Sequence, residues 1–193
     1  MSEAAADALE RSHAARYTQA VERLTTAEGW RIAYPLLDAA GPAALAAVKG
    51  GLAHPHPKAR QWCAALLDHH ADAACLPGLL RLLDDPVPAV RRHALHSVGC
   101  QPCKPSPLPI DVVPLLLRRA AHDPSVRVRR AAAHLLGCQP PDARAAAALR
   151  AIAAGDADAK VRRNARWALA QHAGELPRTQ VCRGPRAEPA AAG

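Results

Sequence analysis

Cys100 and Cys103 are separated by two residues, and His96 stands one helical turn before Cys100. Thiolate sulfur and imidazole nitrogen are the donors Zn²⁺ prefers, and the two-residue spacing serves metal binding and thiol redox chemistry equally. His96, Cys100 and Cys103, with a fourth group, therefore form a candidate zinc site. A redox pair and idle buried thiols are the alternatives, and the base expectation is a protein without a cofactor. Cys138 repeats the arrangement one turn after His134. A Cys100–Cys138 disulfide is disfavoured, because packed helices lie about 8–10 Å apart and the bond needs Cα atoms within about 7 Å. Cys63 and Cys75 read as small apolar fillers.

A second set of residues suits recognition rather than catalysis. Arg92, Arg130 and Arg163 recur at one position of successive segments, and His96, His134 and Trp167 recur four residues further on. Guanidinium groups beside planar rings fit a nucleic-acid backbone, stacked bases or an acidic protein surface. The competing reading is a solvated face on which arginine is simply a good helix former. Trp62, His93, Asn164, Arg127 and Lys160 flank the same positions. There is no Gly-rich phosphate loop, nucleophile elbow or HExxH, and the neighbouring carboxylates Asp84 and Asp85 sit where a turn explains them. The chain is expected not to be an enzyme.

The elements that must position these residues follow from a repeated skeleton: Asp, four residues, Val-Arg, two residues, Ala, then an aliphatic residue. It runs in full from Asp85, Asp123 and Asp156, with Val90-Arg91, Val128-Arg129 and Val161-Arg162 at its centre. A weaker copy has His54 for the Asp and Ala59 for the Val but keeps Arg60 and Leu67. From the Val, offsets 0, +4, +7 and +8 form an apolar stripe at helical period. The pattern predicts helix pairs, with second members at 57–70, 88–99, 126–137 and 159–172 and first members at 42–53, 73–83, 112–121 and 143–154. The turn aspartates are expected to cap the helices that follow them.

Residues 1–41 read as an N-terminal helical cap, with Trp30, Ile32, Tyr34 and Leu36 in its core and Pro35 in a first turn or kink. Residues 42–173 are the repeats, interrupted at 100–109 by a stretch with four prolines that excludes helix. Residues 174–193 lack a core pattern and are expected to be a disordered tail.

Of the +8 net charge, residues 86–172 contribute +9, from fourteen basic and five acidic side chains, while residues 1–85 carry eight and ten. That asymmetry points to an anionic partner. No run of eighteen apolar residues exists, and the first residues lack the basic-then-apolar order of a secretory signal. The expected compartment is the cytoplasm.

The paired helices with Asp-x4-Val-Arg opening the second resemble HEAT repeats over residues 42–172, most closely the short bacterial kind found in phycobilisome-lyase-type proteins and HEAT-like DNA glycosylases. The resemblance implies an all-α, right-handed α-solenoid that serves as a scaffold, binding a protein partner along the face built from the second helices, with nucleic acid as the other candidate partner. It also implies a ladder running between repeats, formed by Asp85, Arg91, Asp123, Arg129, Asp156 and Arg162. Glycosylase-type chemistry wants an acidic residue beside aromatics on that face. Trp62 and Trp167 are present without one.

Overall fold

A computed structural model describes residues 3–100, 103–104 and 106–176. The expected tail beyond Leu176, and residues 101, 102 and 105 of the proline-rich stretch, lie outside the described residues. Those described form helices and no strands. Helix α1 spans Glu3–Arg23 and α2 Ala27–Ala40, followed by α3 Leu45–Gly51, α4 Pro57–His70, α5 Leu76–Leu82 and α6 Pro88–Gly99. Helices α7 Val113–His122, α8 Val126–Cys138, α9 Ala143–Gly155 and α10 Ala159–Ala173 complete the series.

The helices stack in two layers. In one, α4, α6, α8 and α10 lie side by side, each packed on the next. In the other, α3, α5, α7 and α9 each back their own partner. The stripe read from the sequence is the seam between the layers. Ala59, Val90, Val128 and Val161 at offset 0 are fully buried, as are Cys63, Ala94, Ala132 and Ala165 at +4. Small side chains at +4 let the helices approach, and Leu66, Leu67, Leu95, Leu135 and Leu136 fill the space between them. Ser97 is the one polar member of the stripe, and its buried hydroxyl donates to Ala64 O across α4 and α6 at 2.5 Å. Leu169, at the last +8 position, is only half-buried on α10.

Local chemistry sets the helix ends. Proline occupies the first position of α4 and α6, where a missing N–H costs nothing. Asp158 caps α10 through Lys160 N and Val161 N, and Gly174 closes it in the left-handed region at φ 73°. The turn aspartates act one step earlier than expected. Asp85, Asp123 and Asp156 each accept from the backbone N–H two residues on, at 2.8–2.9 Å, and so shape the turn before the helix begins. His54 does the same with its ring, Nδ1 accepting from His56 N at 2.9 Å. The weak first copy of the skeleton keeps its turn by this means.

Three further expectations differ from the structure. The predicted first helices at 42–53 and 73–83 each begin with a 3₁₀ turn, Gly41–Ala44 and Ala73–Cys75, before the α-helix. Pro35 lies inside α2 rather than in its first turn, because Thr26 caps the helix through Gly29 N and starts it at Ala27. Ile32 is 59% exposed, since helical period turns Trp30, Ala33, Tyr34 and Leu37 inward and Ile32 outward. Helices α1 and α2 close the first end of the stack, α1 packing on α3 and α4, and α2 on α4. The proline-rich stretch folds back on the stack through Leu108, which is buried, and Ile110, which is half-buried against the core.

Candidate interaction face and the cysteine cluster

The arginine that follows each Val joins its own turn to the next repeat. Arg60 Nε donates to Asp85 Oδ2 at 2.7 Å, while its Nη1 donates to His54 O and Pro55 O. Arg91 binds both oxygens of Asp123, at 2.9 and 2.8 Å, and Asp85 O at 2.9 Å. Arg129 binds both oxygens of Asp156 and Asp123 O. Arg162 reaches only carbonyls, Asp156 O and Ala157 O. The central rung is the most secluded, with Arg91 8% and Asp123 0% exposed. Burial pushes the Asp123 carboxyl up, but the bonds from Arg91 and Ser125 and the charges of Arg91 and Arg119 overcome it and hold it below the usual carboxylate range.

The second helices lie edge to edge, so offsets +2, +3 and +6 of α4, α6 and α8 lie beside the neighbouring helix rather than in open water. Arg130 forms a bidentate pair with Asp158, at 2.9 and 2.5 Å, and Asn164 donates to Arg130 O at 3.0 Å. His134 stacks on Trp167, with centroids 4.8 Å apart and planes 17° off parallel. Burial pushes the His134 imidazole below its ordinary pKa and favours its neutral form. The Trp167 ring is half-buried over Gly137, where a Cβ would meet ring carbon Cζ3 at 2.3 Å, so only glycine admits the indole. Arg92 Nη2 lies 3.2 Å from His93 Nε2. Arg163 is exposed. The six residues thus divide among a braced set on α8 and α10, comprising Arg130, His134 and Trp167, the exposed Arg163 on α10, and Arg92 and His96 on α6.

At the other end of this face the structure assembles rings that the sequence pattern keeps apart. Trp30 and Trp62 lie 4.8 Å centroid to centroid, Tyr34 meets Trp62 edge-on at 5.7 Å, and His93 meets it at 5.6 Å. His93 is 2% exposed, and burial with the nearby Arg92 charge takes its pKa down to about 3. Offset +3, shared by Trp62 and His93, was the signal available for this contact.

His96 and the proline-rich stretch lead to a different group. His96 Nδ1 lies 3.0 Å from Asp68 Oδ1, and Cys100 Sγ lies 2.7 Å from Cys103 Sγ. Asp68, His96 and Cys100 bring one donor atom each within 4.8 Å of one another, and so do Asp68, His69 and Cys103. Lys104 is fully buried beside them, with Nζ 3.6 Å from Asp68 Oδ1 and donating to Cys100 O at 2.8 Å. Asp68 was not singled out in the sequence. Its only mark there is an acid directly following the apolar run Cys63–Leu67. Cys138 Sγ lies 3.9 Å from His134 Nε2.

No helix among the described residues is long and apolar enough to cross a membrane. No curated protein matches the chain. Residues 104–170 match the family model for HEAT repeats, a span holding α7 to α9 and most of α10. The same arginine bridge joins turns 123 and 156 inside that span, so over residues 104–170 the chain is similar to HEAT repeats in both sequence and contacts.

Proposed function

We propose that this protein is a non-enzymatic scaffold, a right-handed α-solenoid of residues 42–173 capped by residues 1–41, which binds a partner protein along the α4–α6–α8–α10 face in the cytoplasm. HEAT repeats generally mediate protein interactions. The observation that carries the choice of face is the bracing of its side chains: Arg130 is clamped by Asp158, and His134 lies flat on Trp167. Side chains already held in one arrangement lose little freedom on binding, which is the condition for a good recognition surface. The acids of this face are engaged by cations, Asp158 by Arg130 and Asp68 by Lys104, rather than poised as a general acid or base.

A protein partner is favoured over nucleic acid by the same contacts. Asp158 neutralises Arg130, and burial favours neutral His134, so the stripe offers fewer charges to a phosphate backbone than its composition suggests. The test is affinity capture from nuclease-treated host lysate with wild-type protein, Arg163→Glu and Trp167→Ala. A partner that withstands nuclease and is lost with both variants supports the reading. Capture abolished by nuclease, or indifferent to both variants, contradicts it.

A further inference from the structure

We propose that Asp68, His96, Cys100 and Cys103 form a zinc site joining α4 and α6 to the start of the proline-rich stretch. Three observations support it, and the first is the donor set. Two thiols, an imidazole and a carboxylate meet the stated preference of Zn²⁺ for four sulfur, nitrogen and oxygen ligands in a tetrahedron. All four come from separate turns of the chain: Asp68 near the end of α4, His96 in the last turn of α6, and the cysteines just beyond it.

The second observation is an unmet polar requirement. Asp68 is 3% exposed, and its Oδ1 has no hydrogen-bond partner; neither has His96 Nδ1. The two atoms stand 3.0 Å apart, but out of line for a hydrogen bond, so neither satisfies the other. A buried carboxylate oxygen and a buried ring nitrogen left without a hydrogen bond are each costly, and the Lys104 ammonium at 3.6 Å offsets only the charge of the carboxylate. A cation seated between them and the sulfurs takes up both lone pairs at once. Two Zn–S bonds of about 2.3 Å at a tetrahedral angle place the sulfurs about 3.7 Å apart. The cysteines, now at 2.7 Å, therefore part by about 1 Å to admit the ion.

The third observation is charge balance in a secluded place. Without metal, neutral thiols leave Asp68 and Lys104 as a buried pair of opposite sign. With metal, two thiolates and Asp68 carry three negative charges, and Zn²⁺ with the Lys104 ammonium carries three positive. Zn²⁺ thus enters by replacing two thiol protons, which leave to solvent, and the neutrality of the pocket is unchanged. Lys104, with its side chain fully buried and fixed to Cys100 O, serves as the counter-ion that makes a three-anion ligand set tolerable inside the fold. The site's role is to pin the proline-rich stretch to the stack at the joint between the second and third helix pairs.

The experiment uses the full chain, purified under reductant without chelator. Elemental analysis should find about one zinc per chain. After metal removal, Co²⁺ titration should give thiolate-to-cobalt charge-transfer absorption with the intense visible bands of a tetrahedral ion. Cys103→Ser should abolish the charge-transfer band or shift its midpoint at least tenfold. Asp68→Asn should weaken binding about 10–100-fold. Cys75→Ser should leave it unchanged, because serine keeps the contact of Cys75 with Asp72 outside the cluster. Circular dichroism confirms that each variant is folded. Reduced, folded wild-type protein with no such absorption overturns the site, and so does a band that survives Cys103→Ser with its midpoint unchanged. A Cys100–Cys103 disulfide, found by mass in protein isolated without reductant and accompanied by no cobalt binding after reduction, overturns it in favour of a redox pair.

Discussion

Arg91→Ala removes the most secluded rung of the ladder, and the structure sets its cost. The truncation deletes two charged hydrogen bonds to Asp123 and two to carbonyls, Asp85 O and Pro86 O. It also strands a fully buried carboxylate, a change that costs about 3–5 kcal/mol in a buried pair. Asp123 keeps the Ser125 N–H at 2.9 Å, and Arg119 Nη1 is 3.6 Å away and can move closer, so the loss falls at the lower end, about 3 kcal/mol. Arg162→Ala deletes only bonds to carbonyls on a half-buried side chain and should cost about 1 kcal/mol. Arg129→Ala, with its pair 17% and 9% exposed, should fall between them at about 2 kcal/mol. Urea unfolding followed by helical circular dichroism measures all three. In the wild type, Asp123 titrates below its ordinary value, so the rung contributes in full above about pH 4 and is lost as pH falls through the folded-state pKa. The gap between wild type and Arg91→Ala should therefore be constant near neutrality and close in acid. Equal losses for Arg91→Ala and Arg162→Ala, or a gap independent of pH down to strong acid, refute the reasoning.

Gly137→Ala places a methyl group into the Trp167 ring and should cost about 1–3 kcal/mol, with a change in tryptophan fluorescence as the His134 stack opens. His93 is held neutral in the fold with its pKa near 3, below the ordinary 6.5, so stability should fall as pH drops below about 6.5. The loss due to this one group is about 2 kcal/mol at about pH 5, and His93→Gln should flatten that part of the profile when stability is measured by urea titration at each pH. Ser97→Ala leaves Ala64 O without its buried donor across α4 and α6 and should cost about 1 kcal/mol, read from the denaturation midpoint.

The helix pairs were legible because their signals are local: a proline at a first turn, a capping acid, and a Val–Ala–Leu stripe at helical period. The starts read from the sequence at residues 57 and 88 are prolines at the first position of α4 and α6, while α10 is capped by Asp158 rather than by the expected Asp156. The site was less legible because its contacts are between helices. Offsets on a single helix made His96 and Arg130 look outward. The neighbouring helix supplies Asp68 to one and Asp158 to the other, at separations of 28 residues. Asp158, which caps α10, carries no mark in the sequence of its pairing with Arg130. The alternation Trp30, Ile32, Tyr34 invited an even-numbered reading that a helix does not obey, and Ile32 faces out as a result.

The face itself is tested most directly by site-specific cross-linking. A photoreactive residue placed at exposed Arg163 on α10 reports on the second-helix layer, and one at exposed Arg150 on α9 reports on the other layer. In nuclease-treated host extract, position 163 should trap one protein partner as a discrete product, competed by unlabelled wild-type chain, and position 150 should not. Trapping at position 150 alone, or at neither position while a partner still co-purifies, contradicts a scaffold that binds along the α4–α6–α8–α10 face.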